Sequence, residues 1–280
     1  MVEYANAKIN LGLYILDTRP DRLHNLETVF LPIPLKDTLE ILPLKMSNAP
    51  WELITAGIPV EGNPEDNLIV RVFTSLQEEF SLPPCSLYLD KKIPSGAGLG
   101  GGSSDAATMM KMLNTMFDLG LTDNNLKERL SVIGADCAFF VDNRPAFAEG
   151  IGNVLTPISV PGLKDKHLVL VKPPVSVSTR EAYAQVACRT EAPVDLCMAV
   201  QKPVNEWRGL IGNDFESSVF CQYPQIEAIK DTLYELGALY ASMSGSGSSV
   251  FAIFDHKPYN DMAKLFDHCF VYQSTLVRVG

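Results

Sequence analysis

The chain has 280 residues, 46% of them apolar and 20% charged, the mixture of a folded globular protein rather than a disordered or fibrous one. That length accommodates two packed domains, because single cores stop growing near this size. Acidic residues outnumber basic ones by 33 to 23, for a formal net charge of −10 with no dense Lys/Arg block, which argues against nucleic acid as a partner.

Cys85, Cys137, Cys188, Cys197, Cys221 and Cys269 are scattered without a Cys-x-x-Cys pair and read as small hydrophobes of a reducing compartment. The opening residues Met1-Val2-Glu3-Tyr4 carry no basic region followed by an apolar run, and no segment is apolar for the length of a bilayer crossing. A cytoplasmic protein without a membrane partner is expected.

From Ala5, alternation places Ala5, Ala7, Ile9, Leu11 and Leu13 on one face and Asn6, Lys8, Asn10 and Gly12 on the other, predicting a half-buried strand. Lys8 and Asn10 then point the same way, roughly 6.5 Å apart. Residues 17–22 have turn chemistry, and the stretches 29–33 and 38–41 predict two further short strands. A helix is expected from Asn67 to about Glu79, and a strand over residues 86–90.

Ala106, Met109, Met110, Leu113 and Phe117 recur at helical spacing, with Ser103, Ser104 and Asp105 as N-cap chemistry and Gly120 as the stop. Punctuation thickens between Pro157 and Pro161, which predicts a domain boundary there, with domains at 1–158 and 159–280. Beyond it, residues 167–171 read as a strand, 226–236 as a helix and 249–254 as a strand.

Between the strand at 86–90 and the helix lies Pro94-Ser95-Gly96-Ala97-Gly98-Leu99-Gly100-Gly101-Gly102-Ser103-Ser104, with five glycines in seven positions. Residues without Cβ atoms let successive backbone N–H groups approach an anion, and the following helix start adds its own free amides and positive end. A tight strand-to-helix turn is the plainer alternative. The chain lacks Gly-x-x-x-x-Gly-Lys-[Ser/Thr], and the glycines stand far from the N-terminal strand with no acidic residue capping a second strand. It therefore matches neither the usual P-loop nor a dinucleotide fingerprint.

This loop resembles the second motif of the superfamily of galactokinase, homoserine kinase, mevalonate kinase and phosphomevalonate kinase, the GHMP kinases. Asn6-Ala7-Lys8-Ile9-Asn10-Leu11 is similar to the first motif and Ile133-Gly134-Ala135-Asp136 to the segment bearing the acidic residue. Ser242-Met243-Ser244-Gly245-Ser246-Gly247 is similar to the C-terminal glycine motif. Asp21-Arg22-Leu23-His24, residues 146–152 and Gly212-Asn213-Asp214-Phe215-Glu216 extend the likeness along nearly the whole chain, toward the branch that phosphorylates a cytidylylated polyol.

The resemblance implies an α+β fold with an N-terminal ribosomal-protein-S5-like domain, a C-terminal ferredoxin-like domain and an active site in the cleft between them. It also implies ATP with Mg²⁺ as donor system and a small-molecule alcohol as acceptor. By position, Lys8 and Asp136 match the family's catalytic pair. Asn67, Lys91 and residues Pro94, Ser95, Gly96, Ala97, Gly98, Leu99, Gly100, Gly101, Gly102, Ser103 and Ser104 match its ATP site. Asn10, Leu23, His24, Thr179, Tyr183, Gly245 and Ser246 fall on the substrate side, Tyr183 as an aromatic stacked on cytosine. Where the family usually has Asp-Gly-Tyr-His, this chain has Leu23 in place of the tyrosine, which removes one stacking face from the base.

Phosphoryl transfer asks mainly for positioning, charge stabilisation and a group to take the attacking hydroxyl's proton. Asp136, among Ile133, Ala135, Cys137, Ala138 and Phe139, is expected to be buried, with a nearby ammonium keeping it ionised. Taken singly, each residue has a plainer reading: Asp136 an N-cap, Lys8 a solvated lysine, His24 a surface histidine, Tyr183 a core residue at a helix start, and Gly245 and Gly247 a turn. Their joint order shifts the weight toward a kinase acting on a cytidylylated polyol; another GHMP-type alcohol kinase and a nucleotide-binding regulator without catalysis stand as alternatives, the retention of both Lys8 and Asp136 arguing against the regulator, and the motif order disfavours a dinucleotide-dependent oxidoreductase. His167, His256 and His268 lack partners at metal-ligand spacing, so no protein zinc site is expected, and the magnesium ligands are not identified.

Overall fold

The computed structural model describes residues 1–45, 48–258 and 261–276. The chain divides into two compact units: Met1–Ala7, Leu35–Ser95 and Gly100–Asn143 form the first, and Lys8–Pro34, Gly96–Leu99 and Arg144–Gly280 the second.

Two long strands, β1 (Val2–Thr18) and β2 (His24–Pro43), run through both units and pair with each other. In the first unit, β3 (Trp51–Gly57) lies parallel to β4 (Cys85–Lys91), and β4 pairs antiparallel with the C-terminal half of β2, from Thr38 opposite Asp90 to Pro43 opposite Cys85. Helix α1 (Leu68–Phe80) starts where the Asn67 side chain accepts a bond from the Ile69 amide at 3.1 Å, and it buries Ile69, Val72, Phe73 and Leu76 at helical spacing. It packs on α2 (Gly101–Met116), which buries Ala106, Met109, Met110 and Leu113 and also touches α3 (Asp123–Ser131) and α4 (Phe139–Asp142).

In the second unit, β5 (Ala146–Glu149) pairs with residues 28–30 of β2 and with β6 (Val154–Pro157). A four-stranded antiparallel sheet follows in the order β10–β7–β9–β8, built from β7 (His167–Lys172), β8 (Tyr240–Met243), β9 (Val250–Phe254) and β10 (Phe270–Thr275). The helices of this unit are α5 (Thr179–Gln185), α6 (Leu196–Ala199), α7 (Phe215–Gln222), α8 (Pro224–Glu235) and α9 (Met262–Leu265). Val169, Val171 and Ala252 from the sheet share a core with Phe215, Ile226, Ile229 and Leu233 from the helices. Each of the Val, Leu, Ile and Phe side chains, taken fully out of water, contributes about 1.5–3 kcal/mol.

Several expectations need correction. The strand begun at Ala5 is buried on both faces from Ala5 to Ile15, not half-buried, and its polar residues Asn6, Lys8 and Asn10 are 8%, 3% and 3% exposed. Alternation identified the strand but not what covers its polar face. The stretches 29–33 and 38–41 belong to one continuous strand. Pro32 and Pro34 fall between the segment paired with β5 and the segment paired with β4, so neither removes a ladder bond on that edge. Helix α2 starts at Gly101 with Gly100 as its N-cap in the left-handed region (φ 67°), which puts Ser103, Ser104 and Asp105 inside the helix. It ends at Met116, ahead of Gly120, with Phe117 as C-cap. Tyr183 lies within α5 rather than at its start.

Candidate active site

The glycine loop combines buried anchors with open backbone. Ala97 and Leu99 are 3% and 1% exposed, whereas Ser95, Gly96 and Gly102 are exposed and Pro94 is buried. Gly96, Gly98 and Gly100 all take positive φ (58°, 72° and 67°) while Ala97 and Leu99 between them do not. Alternation of left-handed and ordinary residues is the kind of backbone pattern from which anion nests are built. Gly98 is also required by space, since a Cβ there would overlap the Ser244 carbonyl.

In the second unit, Gly96–Leu99 is tied to β1 and to the turn after β8. The Lys8 amide donates to the Leu99 carbonyl (2.9 Å), the Asn10 amide to Ser244 Oγ (3.3 Å), Ser244 Oγ to the Gly98 carbonyl (2.8 Å) and the Ser249 amide to the Ala97 carbonyl (3.3 Å). Lys8 is therefore no solvated surface lysine. Its Nζ donates to Asn10 Oδ1 at 2.7 Å and stands 4.8 Å from the centre of the Phe30 ring. Asn10 Nδ2 donates to Thr28 Oγ1 (3.0 Å), and that hydroxyl donates to the Gly12 carbonyl (2.5 Å). The relay fixes the orientation of the Asn10 amide and holds a buried ammonium, whose desolvation is offset by the charge-assisted bond and the aromatic face.

Asn213 supports the same turn from behind, its Nδ2 donating to the Met243 and Gly245 carbonyls at 2.8 Å each and its Oδ1 accepting from the Phe215 amide at 3.0 Å. Gly245 has φ 57°, and a Cβ built on it would meet Gly98 Cα and Asn10 Oδ1. On the same unit Thr179 Oγ1 and Ser246 Oγ are 3.3 Å apart. The rings of His24 and Tyr183 stack at 5.0 Å, with Thr18 Oγ1 and Cys188 Sγ at 3.3 and 3.5 Å from His24 Nδ1. Leu23, next to that stack in sequence, is 48% exposed.

The first unit holds the other part of the expected site. Asn67, Lys91, Ser95, Gly102 and Asp105 line a cavity of about 300 Å³ whose apolar walls include Leu53, Leu68 and Leu89. That combination suits a flat heterocycle with a few polar anchors. Lys91 is buried and forms ion pairs with Asp37 and with Asp105 Oδ2, the latter at 2.8 Å. Asp136 stands half-buried in the turn before α4, less enclosed than its apolar neighbours suggest. Beside it, burial pushes the Cys137 thiol up to about 11. Ser104 is 1% exposed. Lys8 falls in the second unit and Asp136 in the first.

Sequence reasoning did not single out Thr28, Ser244, Asn213, Asp37 or the ion-paired role of Asp105. Ser244 and Asn213 sit inside segments that carried the resemblance. Nothing in the local sequence of Asp37 announces its pairing with a lysine 54 residues away.

Fold, nest and buried lysine together define a GHMP-type kinase. The family model described as the GHMP kinases N terminal domain matches residues 67–144, and that of the GHMP kinases C terminal matches residues 200–266. A 4-diphosphocytidyl-2-C-methyl-D-erythritol kinase from Bacteroides fragilis is 52% identical over 99% of this chain and 100% of its own. One from Parabacteroides distasonis is 47% identical with the same coverage. A crystal structure of 4-(cytidine 5'-diphospho)-2C-methyl-D-erythritol kinase superposes with a TM-score of 0.79 at 28% identity, covering 98% of both chains. The Streptococcus pneumoniae phosphomevalonate kinase, with a TM-score of 0.69 at 14% identity, shares the fold, covering 99% of this chain and 100% of its own. The chain belongs to the 4-diphosphocytidyl-2-C-methyl-D-erythritol kinase family.

Proposed function

We propose that the protein transfers the γ-phosphoryl group of ATP to the 2-hydroxyl of 4-diphosphocytidyl-2-C-methyl-D-erythritol, a step of the non-mevalonate route to isoprenoid precursors. The observation that carries this reading is the bonded cluster of Lys8, Asn10, the Gly96–Leu99 loop and Ser244, in a chain 52% identical over its length to a relative of that name.

In this reading Asn67, Lys91 and the loop from Pro94 to Ser104 bind the nucleotide, with the backbone amides of the nest on the phosphates. Asn10, His24, Thr179, Tyr183, Gly245 and Ser246 face the acceptor, and Leu23 covers the base by apolar contact. Asp136 accepts the proton of the attacking hydroxyl as its oxygen bonds to phosphorus and the bond to the leaving ADP oxygen breaks. Lys8, oriented by Asn10, aims that carboxylate and steadies charge on the oxygen. The donor would be ATP carrying Mg²⁺, an ion that would keep most of its waters and would supply charge neutralisation to the phosphates. Residues 1–158 form the ATP-binding domain and 159–280 the ferredoxin-like domain of a cytoplasmic enzyme; among the described residues no helix is long and apolar enough to cross a membrane.

The test is incubation with Mg-ATP and 4-diphosphocytidyl-2-C-methyl-D-erythritol, followed by mass spectrometry. One phosphoryl group added to the acceptor, with ADP formed in equal amount, is the expected result. Turnover of mevalonate or homoserine in preference would move the protein to another branch.

A further inference from the structure

The proposed nucleotide cavity contains a charge arrangement that the binding of a phosphate chain does not explain. Lys91 (5% exposed) is enclosed between Asp37 (0%) and Asp105 (3%). Asp37 is fully engaged: its Oδ2 takes a bond from Lys91 Nζ, and its Oδ1 accepts from the Lys92 and Ile93 amides at 2.5 and 2.8 Å. Asp105 is not. Its Oδ2 accepts from Lys91 at 2.8 Å, while its Oδ1 is buried without a hydrogen-bond partner. A dry carboxylate oxygen with no donor is an expensive group that native proteins seldom leave unexplained.

Space around the lysine is equally specific. Gly101 has ordinary helical φ, so conformation does not demand a glycine, but a Cβ there would stand 2.8 Å from Ile93 Cγ2 and 3.3 Å from Lys91 Nζ. An ammonium has three N–H donors, and the two carboxylates occupy two of them. Lys91 itself lines the cavity.

We propose that Asp37 and Asp105 are positioning residues for the nucleotide: Asp37 is the fixed anchor of Lys91, and Asp105 is an adjustable partner that gives up part of its hold on the ammonium when the adenosine part of ATP enters the cavity. This inference rests on the nucleotide reading of that cavity. A ligand acceptor that draws on Lys91 leaves the Asp105 carboxylate less compensated, so the carboxyl takes up a proton in exchange. Desolvation already places this carboxyl at about 7. The charged groups facing Asp105 are Lys91 from β4 and Asp37 from β2. Glu61 and Asp66 stand at the cavity's exposed rim. With both aspartates ionised the triad is net negative, and with Asp105 protonated it is neutral, so nucleotide binding should weaken as pH rises through neutrality.

The test compares ADP affinity of the wild type and Asp105→Asn by calorimetry at pH 6 and pH 8. The titration of the ligand's phosphates is common to both proteins, so the difference isolates Asp105. The wild type should lose about three- to tenfold more affinity across that interval than the variant, the range expected for a single linked proton. Adenosine, which has no group titrating near neutrality, should bind the wild type with fractional proton uptake at pH 7.5, read from two buffers of different ionisation heat. This second measurement needs no variant to fold. Parallel pH profiles, or adenosine binding without proton uptake, would overturn the role of Asp105 while leaving the nucleotide reading intact. Failure of the wild type to bind either ligand would overturn both.

Discussion

His24 and Tyr183 lie face to face, ring centres 5.0 Å apart and planes inclined by 17°, and Tyr183 in turn meets the edge of Phe215 at 4.8 Å. The tyrosine is therefore held between a histidine from the start of β2 and the first residue of α7, so its plane is set before any base arrives. If it orders the cytidine end of the acceptor, Tyr183→Ala should raise KM for the cytidylylated alcohol by roughly 5- to 150-fold, matching about 1–3 kcal/mol of stacking, and leave KM for ATP within about twofold. Leu23→Tyr puts an aromatic ring at an exposed position next in sequence to His24 and should lower the acceptor KM. Steady-state kinetics with each substrate varied in turn checks both; equal effects on the two KM values would mean a general loss of structure.

Lys8, Asn10 and Thr28 form one chain of donors that ends on the Gly12 carbonyl. Asp136→Asn keeps size and shape in a half-buried turn, so the melting temperature should change little while turnover falls by about 10²–10⁴, the range for loss of a general base. Lys8→Met should lose turnover too, and it also leaves the Asn10 carbonyl oxygen buried without its ammonium donor, destabilising by about 1–3 kcal/mol. Thermal unfolding beside single-turnover rates separates the two effects. An Asp136→Asn enzyme with near-normal turnover would remove that carboxylate from the mechanism.

How far the sequence was legible follows from the range of each signal. The helix expected from Asn67 was legible because its signals are local, and the glycine loop was legible as a stretch of unusual backbone because glycine, without a Cβ, tolerates the positive φ found at Gly96, Gly98 and Gly100. Lys8 was misread as half-exposed by alternation alone because the material that covers it comes from elsewhere in the chain. Asp105 was read as a cap because serines and aspartate after glycines are cap chemistry; that Gly100 takes the cap is decided by its left-handed φ. Asp37 carried no local signal at all, since its chemistry consists of three long-range donors.

Gly98 has φ 72°, and its carbonyl receives the Ser244 hydroxyl at 2.8 Å. A methyl group there would collide with the Ser244 backbone, which is not a flexible side-chain end and has nowhere to yield. Gly98→Ala should therefore cost about 1–3 kcal/mol from the left-handed conformation alone, and more from the collision. ATP binding should fall with it. Gly120→Ala, also at positive φ (67°) but with open space around it, is the matched control and should lose stability without losing nucleotide affinity.

Stability should depend on pH through the Lys91 triad, with a sign opposite to that of an ordinary ion-paired aspartate. Burial raises the Asp105 carboxyl from 3.8 to about 7, outweighing Lys91, which pulls it down. Between those values the folded protein holds a proton that the unfolded chain has released, so this group's contribution is fully present below about pH 4 and is lost as pH rises toward and through 7. Asp105→Asn cannot ionise and should flatten that limb of the melting curve between pH 5 and 8. Asp37→Asn should instead lower the melting temperature throughout, because two backbone amides and Lys91 lose a full carboxylate partner. Calorimetric scans of the three proteins at half-unit pH steps, without nucleotide, test this. Identical slopes for wild type and Asp105→Asn would show that Asp105 keeps an ordinary carboxylate pKa in the folded protein and does not hold the proton.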